Sequence, residues 1–317
     1  SAAAKLGRDV AARYRVVDHN ARDPDGLVDL GTTGGSVPLA VNKIAYQADL
    51  LIATGLVEPH QYAGYSGGSK TLAIGAGGEK TIEYTHGPAM LDHPGTRLGR
   101  VEGNPFQEAV LEAGRRAGLR FVVNAVLDDA KRIVAVAAGA PQETHAALVE
   151  KARALYEVPI DRQFDVAVAG VGFPKDANLY QASRAASYLF FAPTPVVREG
   201  GFFIVPARCE EGAGEGIGEQ RFLKAMQEAP DVHHILDEAR KHGYPPGQQR
   251  AFIMAKVIEK TRVIIVGAED LELIRSAKFL AAPTMDDAFD LVASELGGDL
   301  EVLVVPHALL TLPIVRS

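Results

Sequence analysis

The feature that most narrows the fold is a repeated exchange of short apolar runs with amphipathic stretches. "YRVVDH", "ADLLIATG", "RFVVNAVL", "RIVAVAAG", "FDVAVAGVG", "GGFFIVPA", "RVIIVGA" and "EVLVVPH" are brief and rich in β-branched residues, and several are apolar at consecutive positions. Continuous apolarity marks strands covered on both faces, as in parallel sheets. Between them, "NPFQEAVLEAGRRAGL", "ETHAALVEKARALYE" and "GEQRFLKAMQEAP" carry helical periodicity. In the first of these Asn104 is placed to cap the helix, Pro105 suits its first turn, and Gln107 is spaced to close a capping box. "VLDDAKRIVAV" predicts a hairpin turning at Asp128 and Asp129. The pattern as a whole predicts an α/β protein of two lobes with mostly parallel sheets and the active site in the cleft between them. The polar, proline-containing link "YEVPIDRQFD" predicts the seam, with lobes at 1–157 and 158–317. The segment 210–220, "EEGAGEGIGEQ", is expected to be a flexible loop or lid.

Composition removes several classes of function. The 317 residues carry a net charge of −7 with basic residues scattered, which argues against nucleic acid or an anionic membrane as main partner. No apolar run approaches the ~20 residues of a membrane helix, and "SAAAKLGRDV" lacks the apolar core of a signal peptide. A single cysteine, Cys209, excludes an internal disulfide and fits a cytoplasmic location.

One loop concentrates chemistry. "GYSGGSKT", from Gly64 to Thr71, comes close to the G-x-x-x-x-G-K-[ST] loop that cradles nucleotide phosphates. That loop needs a strand ending at its first glycine and a helix starting at its lysine. Here the strand stops near Gly55, Pro59 and His60 intervene, and Ser69 replaces the glycine before Lys70. Gly75, Gly77 and Gly78 then weaken any helix that follows. The nucleotide reading fails on these counts.

What remains is Lys70 on a glycine-flanked loop, with His60 ten residues before it and His86 sixteen after. A deprotonated lysine forms imine or amide links to a carbonyl-bearing cofactor. Imidazoles ligate nickel, zinc or iron, or move protons near neutral pH. By themselves these residues support lysine-tethered or metal-assisted chemistry and nothing narrower. The Ser66 hydroxyl and the N–H groups around Gly67 and Gly68 either meet a phosphate or belong to a loop whose glycines merely permit positive φ. Thr32 and Thr33 either face the site or form a strand-to-helix turn. Asp176 and Asn178 are expected to cap the helix after them. His93 and His145 read as structural or exposed, and His233 and His234, being adjacent, do not share a helix face.

"LGTTGGSVPLAVNKIAYQADLLIATGLVEPHQYAGYSGGSKTL", His86 and "GVGFPKDANLYQASRA" together closely resemble the lactate racemase family, over nearly the whole chain. These are nickel-pincer-dependent racemases and epimerases of 2-hydroxy acids. The resemblance implies a nickel-pincer nucleotide, a pyridinium-3-thioamide-5-thiocarboxylic acid mononucleotide, tethered to Lys70, with nickel bound by His86. It implies that His60 is one of two acid/base histidines and that Tyr180 and Gln181 lie over cofactor and substrate. It also implies a small 2-hydroxy acid as substrate, proton-coupled hydride transfer through a 2-oxo acid, and cofactor maturation proteins as partners. Hydride removal avoids the carbanion that a neighbouring carboxylate opposes. Arg184 stands where racemases acting on lactate often carry lysine, and its flat fork grips a carboxylate with longer reach. That departure implies a substrate other than lactate, larger or with a second carboxylate.

Family members also carry a substantial stretch before the segment matching "YRVVDHN", with the other acid/base histidine and an arginine for the substrate carboxylate. No histidine precedes His19 here, and Arg13 and Arg15 do not match that motif. A processed or partial chain is the preferred explanation, beside a divergent truncated member or a partner chain supplying the rest. The alternative function is a cofactor- or metabolite-binding homologue without turnover, and more remotely a nucleotide-binding enzyme.

Overall fold

In the computed structural model, which describes Ala3 and residues 6–316, the first strands form a hairpin. β1 (Leu27–Thr32) and β2 (Pro38–Asn42) pair antiparallel. "TTGG" therefore turns strand into strand, not strand into helix as the sequence suggested. Ser36 adopts a φ of 65° and its N–H bonds the Thr33 carbonyl, which tightens that turn. "YRVVDH" forms no strand. Val16 and Val17 stand exposed, and among the described residues no strand lies beside them to give a ladder.

β3 (Ile52–Leu56) leads into a tight antiparallel pair, β4 (Pro59–His60) and β5 (Gly64–Tyr65). β3 also runs parallel to β6 (Phe121–Leu127), and β6 turns back antiparallel into β7 (Ile133–Gly139), the predicted hairpin. The helix Pro141–Tyr156 follows and covers one face of this sheet, packing Leu148, Val149 and Ala152 against Val126. Ile52, Leu56, Phe121 and Val123 are exposed on the opposite face.

β8 (Glu157–Ile160) pairs in parallel with a late strand at Leu312–Val315, which brings the end of the chain back to its middle. The second lobe is built on β9 (Phe164–Ala169), β10 (Val197–Pro206), β11 (Arg262–Val266), β12 (Leu280–Ala282) and β13 (Val302–Val305). All five are parallel, in the order β12-β11-β10-β9-β13.

Helices on both faces explain why "FFIV" is apolar at every position. Phe203 and Val205 join Phe222, Leu236 and Phe252 on one face, while Phe202 and Ile204 meet Ala288 and Val292 on the other. Burying each such large side chain contributes ~1.5–3 kcal/mol. The strands progress from β9 to β12 in one direction, and β13 returns to the far side of β9. The order thus reverses at β9, and ligands bind beyond the carboxyl ends of strands at such a reversal. "GVGFPKDANLYQ" starts there.

Two local expectations need correction. Asn104 caps the helix Pro105–Arg116 by accepting from the N–H groups of Phe106 and Gln107. The Gln107 side chain is buried with Oε1 unpartnered, so no capping box closes. The segment 210–220 is not free-standing either. Glu211 N–H bonds Ala177 O, Leu179 N–H bonds Gly212 O, and Ala213 is buried. Among the described residues no helix is long and apolar enough to cross a membrane.

Candidate active site

The β4–β5 turn sets the first histidine. Gly64 has a φ of 76°, and a Cβ there would collide with the Arg100 carbonyl. Asn104, fully buried, donates from Nδ2 to Tyr62 O at 2.7 Å and to Arg100 O at 2.9 Å. The residue that caps a helix thus also pins the loop beside His60. His60 Nδ1 accepts from the backbone N–H of Tyr62 and of Ala63, each at 3.2 Å. In the neutral ring the proton therefore sits on Nε2. Burial, then the charges of Lys70, His86 and Arg184, hold the His60 pKa well below the ordinary histidine value.

His86 follows the helix Glu79–Thr85. Its Nδ1 lies 2.9 Å from Ile82 O and 3.1 Å from Thr85 Oγ1. Donation from Nδ1 to the carbonyl leaves the Nε2 lone pair for a ligand. Burial lowers the pKa of this ring to about 4. Tyr62 and Phe106 meet His86 edge-on, with ring centroids at 5.3 and 5.4 Å, and stand 5.6 and 6.2 Å from His60. The two histidines therefore share one aromatic wall. From the second lobe, Tyr244 donates its hydroxyl to His86 O at 2.8 Å.

Lys70 opens a single helical turn, Lys70–Ala73. Burial pulls its pKa down, Glu58 opposes that shift and Arg184 adds to it. The preceding loop spends its polar groups on itself. Ser66 Oγ donates to Leu56 O at 2.8 Å and accepts from Glu58 N–H at 3.1 Å. Gly68 N–H donates to Asn124 Oδ1 at 2.8 Å, and His145 Nε2 lies 2.9 Å from Ser66 O. Gly67 and Gly68 have φ values of 86° and 55°, and a Cβ on Gly67 would press on Val57. The geometry favours glycines needed for backbone shape over a phosphate cradle, and the Ser66 hydroxyl is already engaged. His145 is buried and structural.

The second lobe supplies the opposite wall from the loop after β9. Asn178 Oδ1 accepts from Gln181 N–H at 3.0 Å and caps the helix Leu179–Ala182. Asp176 does not cap, and its Oδ1 is buried without a partner. Arg184 donates to Gln181 Oε1 at 3.2 Å and to Tyr188 OH at 3.0 Å. Tyr180 packs edge-on against Phe222, with Arg250 over its ring at 5.5 Å. Tyr62 joins the two walls. Burial raises its hydroxyl to about 12, and it feels the charges of Arg250, Tyr180, Tyr188 and Arg184.

The charges of Lys70, His86 and Arg184 act on His60, Arg184 bonds Gln181, and Tyr180 and Arg184 both act on Tyr62, so these six residues form one neighbourhood. Among the described residues no group of three or more His, Cys, Asp or Glu could hold a metal ion. Sequence reasoning passed over Tyr62, Phe106 and Arg250. Arg250 did leave a signal, as a lone charge ahead of the apolar run "AFIMA".

Residues 1–99 match the family model described as the lactate racemase N-terminal domain, and residues 161–312 match that for the lactate racemase C-terminal domain. The chain is 30% identical over 305 residues to the lactate racemase of Thermoanaerobacterium thermosaccharolyticum, covering 96% of this chain and 70% of the relative. The chain belongs to the lactate racemase family. Membership makes it an isomerase of the racemase class. A second lactate racemase, from Lactiplantibacillus plantarum, is 31% identical over 310 residues, or 96% of this chain and 71% of that one. The solved lactate racemase apoprotein from T. thermosaccharolyticum superposes with a TM-score of 0.89 at 27% identity, covering all of this chain and 74% of that one. A structural-genomics protein from Thermotoga maritima shares the fold, with a TM-score of 0.71 at 19% identity over 99% of this chain and 81% of that one.

Proposed function

We propose that this racemase inverts a small 2-hydroxy acid with a nickel-pincer nucleotide tethered to Lys70. The observation that carries the reading is a neighbouring pair whose charges interact: a half-buried Lys70 whose desolvation holds its pKa down, and a His86 with Nδ1 committed to Ile82 O and Nε2 left over. These residues fit the group. A partly desolvated amine with a lowered pKa suits the tether. An imidazole oriented by a backbone carbonyl suits a soft, flat metal centre. When bound, the group supplies a hydride acceptor whose electronics the nickel tunes.

The chain's own residues supply binding and proton handling. Arg184 offers the substrate carboxylate its fork, with Gln181 positioned by their mutual bond. Neutral His60 presents Nε2–H to the oxygen on C2 and stabilises it at the 2-oxo stage. To take the hydroxyl proton, the ring must turn Nδ1 away from the amides of Tyr62 and Ala63. Tyr62 and Phe106 keep bulk water from the histidines.

The test is an intact mass and a nickel determination on protein from a host that also makes the cofactor maturation proteins. A mass excess on the Lys70 peptide with near-stoichiometric nickel is expected. An unmodified Lys70 with no nickel would leave a binding homologue without turnover.

A further inference from the structure

Arg250 is the second residue of the helix Gln249–Lys260, yet it is only 6% exposed. Its Nη1 donates to Ser187 Oγ at 2.9 Å, and its buried Nε has no partner. Among the described residues no carboxylate lies within ion-pair distance of Arg250 or of Arg184. Arg184 is bonded only to the neutral groups of Gln181 and Tyr188. A buried cation without a counter-ion is costly, and its unpartnered Nε beside Tyr180 fits an anion brought in from outside the chain.

The two guanidinium groups belong to one constellation. Ser187 Oγ lies 3.1 Å from the Arg184 carbonyl as well as bonding Arg250. Tyr188 stacks under Arg184 at 5.4 Å and Tyr180 under Arg250 at 5.5 Å, and both charges act on the Tyr62 hydroxyl. Ser187 also bonds Gln61 Oε1 at 3.2 Å, and the buried Nε2 of Gln61 is a further donor without a partner. One carboxylate would satisfy Arg184 and leave Arg250 bare.

We infer that the substrate is a 2-hydroxy dicarboxylate, held by Arg184 at the carboxylate next to the reacting carbon and by Arg250 at the distal one. This rests on the racemase reading above and narrows its substrate class. An anion at Arg250 has a second possible source in the phosphate of a mononucleotide, and the experiment separates the two.

The cofactor-loaded protein and its Arg250→Gln and Arg250→Lys variants are assayed with malate, 2-hydroxyglutarate and lactate. In parallel, thermal shifts of the cofactor-free proteins are read with 2-oxoglutarate, oxaloacetate, pyruvate and inorganic phosphate. The expected result is a preference for a dicarboxylate that Arg250→Gln lowers by about tenfold or more, through KM more than kcat, with partial recovery in Arg250→Lys. A 2-oxo dicarboxylate should also raise the melting temperature more than pyruvate does, and only with a cation at 250.

Equal losses on mono- and dicarboxylates would make Arg250 structural and overturn the inference. So would loss of phosphate protection with the dicarboxylate preference intact. If Arg250→Gln does not fold, an unchanged dicarboxylate KM in Arg250→Lys is the overturning result. A fully loaded protein that turns over no 2-hydroxy acid would sink the racemase reading, while the thermal shifts would still decide the role of Arg250.

Discussion

His86 Nδ1 faces the Ile82 carbonyl oxygen at 2.9 Å, one turn back along the same helix, and this bond decides which ring nitrogen is left for a ligand. His86→Ala should remove the nickel from loaded protein and leave the fold intact, because the side chain is bonded only within its own helix. Metal per chain, measured beside circular dichroism, checks both halves. Retention of full nickel would contradict the assignment.

Arg184→Ala deletes the fork and frees Gln181 Oε1. The KM for the preferred 2-hydroxy acid should rise by about ten- to a hundredfold, with a smaller change in kcat. Arg184→Lys should recover part of that loss. Steady-state racemisation followed by polarimetry reads the effect.

Asn104 serves as a helix cap and as a clamp on Tyr62 O and Arg100 O. Its replacement by alanine should cost about 2–4 kcal/mol, since a cap is lost and buried carbonyls are stranded. Asn104→Asp keeps the cap but buries a carboxylate against the Tyr62 and Arg100 carbonyl oxygens, so it should cost at least as much as alanine. Urea denaturation at constant m distinguishes the three proteins.

Gly64→Ala should destabilise by more than about 2 kcal/mol, because positive φ and a collision with the Arg100 carbonyl act together. The same change should disturb the turn that aims His60. Thermal melting of the cofactor-free protein gives the first quantity.

Burial lowers the pKa of His60, His86 and His145 in the fold. Below the ordinary value near 6.5 the unfolded chain binds protons at these sites while the folded one does not. Stability should therefore fall as pH drops from about 6.5, and the His86 contribution should level off below about 4. His145→Gln should flatten this slope, and because His145 also bonds Ser66 O its effect on the Lys70 loop should appear in the same melts. Melting temperatures of cofactor-free protein from pH 8 to pH 5 check the sign.

The α/β architecture was legible because the strands of the larger sheet are covered on both faces, which leaves unbroken apolar runs such as "FFIV" and "RVIIV". The β6–β7 hairpin was legible from its local turn. "YRVVDH" misled because strand propensity needs a neighbouring strand, and among the described residues none is present beside Val16 and Val17. The β1–β2 hairpin was missed because "TTGG" suits two kinds of turn equally. His60, Lys70 and His86 stand close in sequence around one loop, so their clustering could be read without a fold. The neighbourhood of Arg250 could not. It depends on a helix packed against Ser187 and Tyr180, which lie far away along the chain.

Tyr244 reaches over from the second lobe to the His86 carbonyl oxygen. His86 is therefore fastened to one lobe by its ring and to the other by its backbone. Any displacement of Tyr244 away from His86 must stretch or break the second of these ties. A Tyr244→Phe change would therefore loosen the His86 backbone while leaving its ring bond to Ile82 in place.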